Sequence, residues 1–413
     1  MPLPQTLPLD SQLLRAEFPA FEEPTLKGQA FFENAGGSYT CRQVLGRLEH
    51  YYRAHKVQPY GAFQASQQAG KAMDLAFDRM ASALNVSSDW IQFGPSTSAN
   101  TYFLAQAFHT FLTPGGTIIV TNQDHEANSG VWRRLARMGA VIREWQVNPD
   151  TGHLDPGDLD DLLDDTVKLV AFPHCSNMVG EINPVAQICA KIASAGAISL
   201  VDGVSYAPHG LPDLKDLGAD IYLFSAYKVY GPHQGVMAIR PELAERLPNQ
   251  GHYFNETKPR YRLTPAGPDH AQIAAAAGIV DYLERVSDIA GNSVAETDPF
   301  RRAHAAMRQQ EIILMQPLLD WLQGSNRLRL IGPVSAAMRA PTFSLKLAAP
   351  GFEVAQRLAK RSIMATGGHF YARRLIEAMG LDPDHGLLRV SFTHYTTPDE
   401  IQALIAALDA ELK

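Results

Sequence analysis

The chain has few cysteines, no strong excess of one charge and no long apolar run. Its 413 residues include only Cys41, Cys175 and Cys189, and their spacing is not that of a metal site. We therefore predict no metal, no structural disulfide and a reducing, cytoplasmic location. The N-terminus lacks the basic and then apolar stretch of a signal peptide, so we expect no export. No apolar run reaches the length that spans a membrane, so we expect no membrane partner.

The charge balance excludes further classes of partner. The chain carries 36 basic and 43 acidic residues, for a net charge of -7. This balance argues against nucleic acid or an anionic lipid surface as a partner. A G-x-G-x-x-G turn after an early strand is also missing, which disfavours a nicotinamide-binding Rossmann enzyme.

From Phe31 onward the sequence alternates short apolar runs with helical patterns. This alternation predicts βαβ units and an α/β fold with a mainly parallel, seven-stranded sheet. We predict the strands at 90–93, 117–121, 141–146, 169–173, 197–201, 221–225 and 236–239. The length fits three parts: an N-terminal segment (1–30) packing on the small domain, a large domain (31–285) and a small C-terminal α+β domain (286–413).

Lys228 and Asp202 form the most informative pair. Asp202 follows one predicted strand, and Lys228 follows the next. A carboxylate there can hold a pyridinium nitrogen protonated, and a buried lysine can form a Schiff base with an aldehyde. Each residue alone has an ordinary alternative, a turn aspartate or an exposed lysine. Together they predict pyridoxal phosphate (PLP) as the cofactor.

Small hydroxyl residues lie between a predicted strand and a predicted helix at Ser96, Thr97 and Ser98. Hydroxyls and free amides at a helix start suit a phosphate, although an ordinary helix cap has the same composition. Ser225 and Tyr227 lie in the same loop as Lys228 and could add further donors.

Three more polar residues are candidates for the site. His125 could stack on a cofactor ring and move protons. Asn177 could donate a hydrogen bond to the cofactor's 3-hydroxyl, or could be an ordinary turn residue. Arg389 is a single charge within an apolar strand, so it needs a partner. That partner is either a protein carboxylate or the substrate carboxylate.

These residues lie in motifs that resemble the class V aminotransferase group of fold type I PLP enzymes, and within it the Suf-type cysteine desulfurases. The motifs are N-A at Asn34, D-H-x-A-N, H-x-S-N-x-x-G, V-D-G-x-x-x-x-P-H, S-x-x-K-x-Y-G-P and a late R-x-S. The resemblance covers nearly the whole chain from about Phe31.

The resemblance implies a role for each matching residue. Lys228 is the Schiff-base lysine and proton shuttle, Asp202 pairs with the pyridinium, and His125 stacks on the ring. The other cofactor-binding residues are Ser96, Thr97, Ser98, Asn177, Ser205, Ser225 and Tyr227, and those beside the substrate are Asn34, Ala35, His369 and Arg389. The family is a homodimer, in which the stretch 264–268 with Gly267 reaches the partner's phosphate.

The chain departs from the desulfurases where a cysteine attacks the substrate sulfur. Phe370 occupies that place, and a phenyl ring cannot carry a persulfide. We therefore expect β-elimination, of the carbon–sulfur lyase type, from a small amino acid. An aminotransferase, an amino-acid epimerase and a catalytically silent scaffold remain alternatives. Arginines at 260, 262, 373 and 374 could bind an acidic substrate side chain or be ordinary surface charge.

Overall fold

The computed structural model describes residues 7–112, 115–265 and 267–412. The strands are β1 (Ala30–Phe31), β2 (Ile91–Gly94), β3 (Thr117–Thr121), β4 (Val141–Trp145), β5 (Val167–Pro173), β6 (Ile198–Asp202), β7 (Ile221–Ser225), β8 (Gly235–Ile239), β9 (Arg329–Ile331), β10 (Thr342–Lys346), β11 (Ile363–Met364), β12 (Thr366–Gly368) and β13 (Leu387–Ser391). The helices are α1 (Ser11–Arg15), α2 (Arg42–Ala54), α3 (Gln64–Ala83), α4 (Thr97–Leu112), α5 (Glu126–Arg133), α6 (Leu159–Leu162), α7 (Val185–Ser194), α8 (Leu214–Leu217), α9 (Pro241–Arg246), α10 (Pro259–Arg262), α11 (His270–Ala290), α12 (Pro299–Gly324), α13 (Gly351–Ala359), α14 (Arg373–Ala378) and α15 (Pro398–Glu411).

The large sheet has seven strands in the order β2-β8-β7-β6-β5-β3-β4. Strand β8 runs antiparallel to both of its neighbours, and the other pairs are parallel. The predicted α/β fold with a mainly parallel seven-stranded sheet is therefore confirmed. Pro173 of β5 pairs with Asp202 of β6, and Asp202 pairs with Leu223 of β7. Asp202 thus lies at the carboxyl end of the sheet, where such folds bind ligands.

Both faces of this sheet are buried, as a parallel sheet requires. Along β3, Ile118 and Val120 pack with Phe108 of α4 and Trp132 of α5, whereas Ile119 belongs to the core on the opposite face. On that opposite face α11 packs against α2 and α3. The two helical layers hold the strand ends, and the loops that follow them, in fixed positions.

The C-terminal part contains a four-stranded antiparallel sheet of order β12-β13-β10-β9. Leucines of α12, α13 and α15 pack on this sheet in a separate core. Strand β13 carries Arg389, and β12 leads into the loop with Phe370. The domain boundaries at 30 and 285 stay a prediction.

The N-terminal segment contacts both parts of the chain. The Leu9 N–H donates to Gln310 of α12 at 3.3 Å, and Arg15 pairs with Glu400 of α15 at 2.7 Å. Phe18 packs edge-on against Tyr282 of α11 and Tyr395, with ring centroids 5.0 and 4.8 Å apart. Within the described residues no helix is both long enough and apolar enough to cross a bilayer.

Candidate active site

A cavity of about 270 Å³ lies at the carboxyl ends of β5, β6 and β7. Predicted site residues that line it are Ser96, Thr97, Ser98, His125, Asn177, Asp202, Ser205, Ser225, Tyr227 and Lys228. Asp124, Ala127, Cys175, Val204 and His233 complete the lining. The sheet therefore collects, at one place, side chains from segments far apart in sequence.

Lys228 ends the single 3-10 turn Ala226–Lys228 that directly follows β7, and it is 7% exposed. The Ser38 hydroxyl donates to its carbonyl at 2.7 Å and so fixes the turn. Burial lowers the pKa of the Lys228 amine to about 8; the charge of Arg389 adds to this effect, whereas Asp202 and Glu33 oppose it. A lysine with this pKa has a far larger neutral fraction near neutral pH than an ordinary lysine, and the neutral amine is the form that attacks an aldehyde or removes a proton.

Asp202 is the last residue of β6, and it is 5% exposed. The Val204 N–H donates to its Oδ1 at 2.8 Å. Burial raises the pKa of Asp202 to about 6, although the Val204 N–H and the charge of Lys228 lower it. Asp202 is therefore ionised at neutral pH and can hold a protonated ring nitrogen.

Asp124 is a second buried carboxyl in the cavity, and sequence reasoning gave it no role. Its Oδ2 accepts from Asn128 at 2.7 Å, and its Oδ1 accepts the His125 N–H at 2.8 Å. Burial raises the pKa of Asp124 well above its usual range, and the charge of Asp202 raises it further. Asp124 fixes the backbone from which the His125 ring projects.

His125 caps the N-terminus of α5. Its Nδ1 accepts the Ala127 N–H at 3.0 Å, which leaves the proton of the neutral ring on Nε2. Burial lowers the pKa of His125 to about 3, and the charges of Lys228 and Arg389 contribute. The ring is neutral at physiological pH, so it suits stacking better than proton donation.

One end of the cavity is formed by the start of α4, a helix of 16 residues. The hydroxyls of Thr97 and Ser225 lie 2.8 Å apart, and Thr97 is the first residue of the helix. Oriented N–H groups and the helix dipole favour an anion there. Gly235 lets strand β8 pass close to the turn before α4, because a Cβ at this position would lie 2.4 Å from the Ser96 carbonyl carbon.

Arg389 enters from β13 and is 3% exposed. Its Nη2 lies 2.8 Å from Glu33 Oε1, and its Nη1 donates to the Asn177 carbonyl at 3.2 Å. The guanidinium carbon lies 3.8 Å from the centre of the Phe370 ring. Burial lowers the pKa of Arg389, whereas it raises the pKa of Glu33. Glu33 was not among the predicted site residues, although it directly precedes Asn34.

The loop after β12 has an uncommon backbone. Phe370 and Tyr371 both have positive φ values, 47° and 59°. Non-glycine residues with such values cost free energy and cluster at functional sites. The loop is held by Asn177 Nδ2, which donates to the Phe370 carbonyl at 2.8 Å, and by the Glu126 N–H, which donates to the Tyr371 carbonyl at 2.8 Å.

Besides Arg389, four predicted residues do not line the main cavity. Asn34 and Ala35 border a smaller cavity of about 10 Å³ that also touches Lys228 and Ser205. The Asn34 side chain binds within the protein, because its Oδ1 accepts from the Tyr395 hydroxyl and its Nδ2 lies 3.4 Å from the Ser391 carbonyl. His369 Nδ1 accepts the Tyr371 N–H at 3.2 Å. Gly267 borders a third cavity of about 430 Å³, and its neighbour Ala266 lies outside the described residues.

The arginines that could bind an acidic substrate side chain each have partners within the chain. Arg373 pairs with Glu377 and Asp384, and Arg374 pairs with Glu126. Arg260 pairs with Asp74, and Arg262 donates to backbone carbonyls, including that of Leu247 at 2.7 Å. The expectation that these side chains bind an acidic group stays a prediction.

The three cysteines are all buried and free. Burial raises the pKa of Cys41, Cys175 and Cys189 to about 12 in each case. The thiolate is the nucleophilic form, so a thiol with this pKa is unreactive near neutral pH. Cys175 lines the cavity, but its Sγ contacts the backbone carbonyls of Ser176 and Gly180.

The donor set of the cavity fits PLP. Lys228 would hold the aldehyde carbon, Asp202 the ring nitrogen, His125 the ring face, and Thr97 with Ser225 the phosphate. A further observation is the Asn177 Oδ1, which is buried and has no hydrogen-bond partner. Such an atom is costly unless a ligand donates to it, and a hydroxyl on the ring would do so. Among the described residues no group of three or more His, Cys, Asp or Glu side chains is placed to hold a metal ion.

Comparison with known proteins gives the same answer. The sequence model of the family "Aminotransferase class-V" matches residues 30–404. The aminotransferase-like protein FGM3 of Gibberella zeae is 33% identical, over 97% of this chain and 98% of its own length. A cysteine desulfurase of Serratia proteamaculans is 28% identical, over 96% of each chain.

The fold agrees with a solved structure. The apo cysteine desulfurase of Thermococcus onnurineus NA1 superposes with a TM-score of 0.84 at 23% identity, over 99% of this chain and 98% of its own. Because the family match spans most of the chain and the cavity supplies the groups that the cofactor needs, the chain belongs to the aminotransferase class-V family and is a PLP-dependent enzyme of fold type I.

Proposed function

We propose that the enzyme eliminates a leaving group from the β-carbon of a small amino acid, as a carbon–sulfur lyase or a related lyase does. The observation that supports this most is the pairing of a complete PLP-binding cavity with the absence of a usable sulfur nucleophile. Phe370 lies in the loop that would carry the cysteine, and all three thiols have their pKa raised to about 12. None of the three thiols is therefore a thiolate near neutral pH, which is the form that would have to attack the substrate sulfur to form a persulfide.

When bound, PLP supplies an electron sink that stabilises negative charge on the amino acid's α-carbon. Lys228, in its neutral form, removes the α-proton as a general base. Asp202 remains an anion above pH 6 and holds the proton on the ring nitrogen. Lys228 then carries the proton to the departing group X. The overall reaction converts X–CH2–CH(NH3+)–COO⁻ and water into HX, a 2-oxo acid and ammonium.

Other side chains prepare the site for this chemistry. The neutral His125 ring presents an apolar face without adding a charge beside Lys228. Burial raises the pKa of Tyr227, so its hydroxyl stays protonated and can donate to the phosphate. Arg389 recognises the carboxyl end of the substrate, and Asn34 with Tyr395 positions the adjoining loop.

The second candidate is transamination, because the 33% identical relative is named as aminotransferase-like. Elimination and transamination each need only one base, on one side of the cofactor. An epimerase needs an acid on the opposite side. His125 is unsuited to that task, since burial lowers its pKa to about 3 and its Nδ1 is occupied by the Ala127 N–H.

We also propose a homodimer in which the stretch with Gly267 contributes to the partner's phosphate site. Gly267 has φ of 89° and lies in a cavity with Gly94, Pro95 and His233, next to the phosphate end of the site. A cytoplasmic location is proposed from the three unpaired cysteines. Light scattering coupled to gel filtration tests the dimer.

Product analysis tests the reaction class. The holoenzyme is incubated with cysteine, cystine, cysteine sulfinate and β-chloroalanine, each as the free acid and as the amide. Elimination yields pyruvate or pyruvamide together with ammonia, and the Cys175→Ala variant keeps this activity. Formation of alanine from cysteine with sulfur retained on the protein would instead identify a desulfurase and refute the proposal. A panel in which no β-substituted compound reacts but alanine or aspartate does would also refute it.

A further inference from the structure

Arg389 already has a counter-charge in this protein. Glu33 Oε1 lies 2.8 Å from its Nη2, and the Asn177 carbonyl accepts from its Nη1 at 3.2 Å. A substrate carboxylate on this guanidinium would lie beside a second carboxylate in a buried place. Two anions close together in such surroundings repel each other, and neither is fully solvated.

The Phe370 ring covers the face of the same guanidinium. Its centre lies 3.8 Å from the guanidinium carbon, and Arg389 is 3% exposed. Among the described residues, Arg389 is not part of the lining of the 270 Å³ cavity, whereas Asn177 is. Phe370 therefore covers the guanidinium, both terminal nitrogens already have partners, and Nε is the one donor of the group left free.

Two atoms of this pair lack a partner. Arg389 Nε is a buried donor and Glu33 Oε2 is a buried acceptor, and neither makes a hydrogen bond. They belong to the two groups that meet at 2.8 Å. A free carboxylate brings only acceptors, so it can satisfy the Nε–H but not Glu33 Oε2. A neutral carbonyl can accept from Nε without adding charge, and an amide N–H can also donate to Oε2.

We propose that the site takes an amino acid whose carboxyl group is masked as a neutral amide, ester or thioester, with Glu33 as the residue that determines this preference. The inference rests on the elimination proposed above and leaves its steps unchanged. The compound X–CH2–CH(NH3+)–CO–Y and water give HX, ammonium and CH3–CO–CO–Y. The bond to Y is retained, and Arg389 holds the carbonyl throughout.

Binding of ligands without a leaving group tests this preference. Calorimetry compares alanine, alaninamide and alanine methyl ester on the PLP-loaded protein. Both neutral compounds should bind more tightly than alanine, by about tenfold or more, since like charges at an interface cost several kcal/mol. In the Glu33→Gln variant the order should reverse, because the guanidinium then needs an anion.

For each variant we take the ratio of the alanine and alaninamide dissociation constants. Comparing this ratio between variants removes the effect of the different basicities of the two amines, since that effect is the same in every variant. Glu126→Gln is the matched control, because Glu126 pairs with Arg374 and not with Arg389. Its ratio should equal that of the wild type. Melting temperature and cofactor absorbance verify that each variant folds and holds PLP.

If alanine binds the wild type as tightly as either neutral compound does, or if Glu33→Gln does not reverse the order, the inference is wrong. Tighter binding of both neutral compounds, with reversal in Glu33→Gln, supports it. Because these ligands have no leaving group, the result does not depend on elimination. A failure of the lyase proposal would appear in the product analysis and not here.

Discussion

The Phe370 ring packs against Arg389, with the ring centre 3.8 Å from the guanidinium carbon. The contact joins the loop after β12 to the strand β13. It places an aromatic ring where the desulfurase resemblance implies a cysteine, and it covers the arginine predicted to bind the substrate carboxylate. Phe370 therefore supports both proposals, the one on the reaction class and the one on substrate recognition.

Replacing this ring should uncover the guanidinium. Phe370→Leu loses a desolvated cation–π contact and should lower the free energy of unfolding by roughly 1 kcal/mol. Free alanine should bind about threefold more tightly, because the face of Arg389 opens. Tyr371→Leu is the control, since the Tyr371 ring is 68% exposed and packs against His125 and not against Arg389. Denaturant titration and calorimetry measure both effects, and equal behaviour of the two variants would contradict the assignment.

Lys228 should be indispensable for covalent attachment of PLP. Lys228→Ala should lose the visible absorbance of the attached cofactor, and the elimination rate should fall by at least about 10²–10⁴-fold because the general base is gone. Lys191→Ala is the matched control, since Lys191 pairs with Asp160 on α6 away from the cavity. Retained absorbance in Lys228→Ala, or loss in Lys191→Ala, would show that another residue holds the cofactor.

Gly235 should control phosphate affinity through backbone packing. In Gly235→Ala the new Cβ would lie 2.4 Å from the Ser96 carbonyl carbon and 2.6 Å from the Thr97 nitrogen, so the turn before α4 must shift. We expect PLP to bind about tenfold more weakly, for an overpacking cost on the order of 1–3 kcal/mol. Gly46→Ala, in α2 with open space around it, should bind PLP normally. Fluorescence titration of the apoproteins measures the two affinities.

Buried histidines should make the apoprotein acid-sensitive. Burial lowers the pKa of His125 and His174 to about 3 and of His304 and His394 to about 4. In the unfolded chain these histidines take up protons near pH 6.5, whereas in the folded chain they stay neutral to a lower pH. The free energy of unfolding is therefore highest above pH 6.5 and falls as the pH drops towards 4. Three carboxyls oppose this trend, because burial raises the pKa of Asp202 to about 6 and also raises those of Asp124 and Glu33, but the four histidines outnumber them.

One substitution isolates a single histidine in this pH dependence. His394 lies between the hydroxyls of Tyr230 and Tyr282, at 3.3 and 2.6 Å, where a glutamine can make similar bonds. His394→Gln should reduce the slope of unfolding free energy against pH by up to about 1.4 kcal/mol per pH unit between 6.5 and 4. Urea titrations at several pH values measure the slope, and an unchanged slope would mean that His394 is protonated in the native state.

The sequence predicted the sheet well because its strands are short apolar runs separated by turn residues. The strands 117–121 and 221–225 were predicted with the observed bounds. The sequence pattern also predicts a helix over 129–138, but its extent is wrong, because α5 follows directly after the His125 cap and the chain continues from Arg134 as a 3-10 helix. The helices α2, α8, α9, α10 and α14 and the strands β1, β11 and β12 were not predicted. The three strands are only two or three residues long, so their pairing depends on tertiary contacts.

At the site, the sequence singles out residues whose type and position at a strand end already suggest a chemical role. Lys228 and Asp202 follow consecutive strands, and sheet topology brings them to one edge. Glu33 gave no such signal, because its importance comes from Arg389, which lies 356 residues away in the chain. The role of Asp124 depends on its burial beside Asp202, which the sequence does not show.

The final state of the cofactor tests the central claim most directly. The PLP-loaded enzyme is mixed with β-chloroalanine and its amide, without any 2-oxo acid acceptor, and the cofactor spectrum is recorded until turnover ends. The account predicts that the spectrum returns to that of the Lys228-attached cofactor while ammonia and a 2-oxo product accumulate over many turnovers. Conversion of the cofactor to pyridoxamine phosphate after a single turnover would contradict it and identify a transaminase.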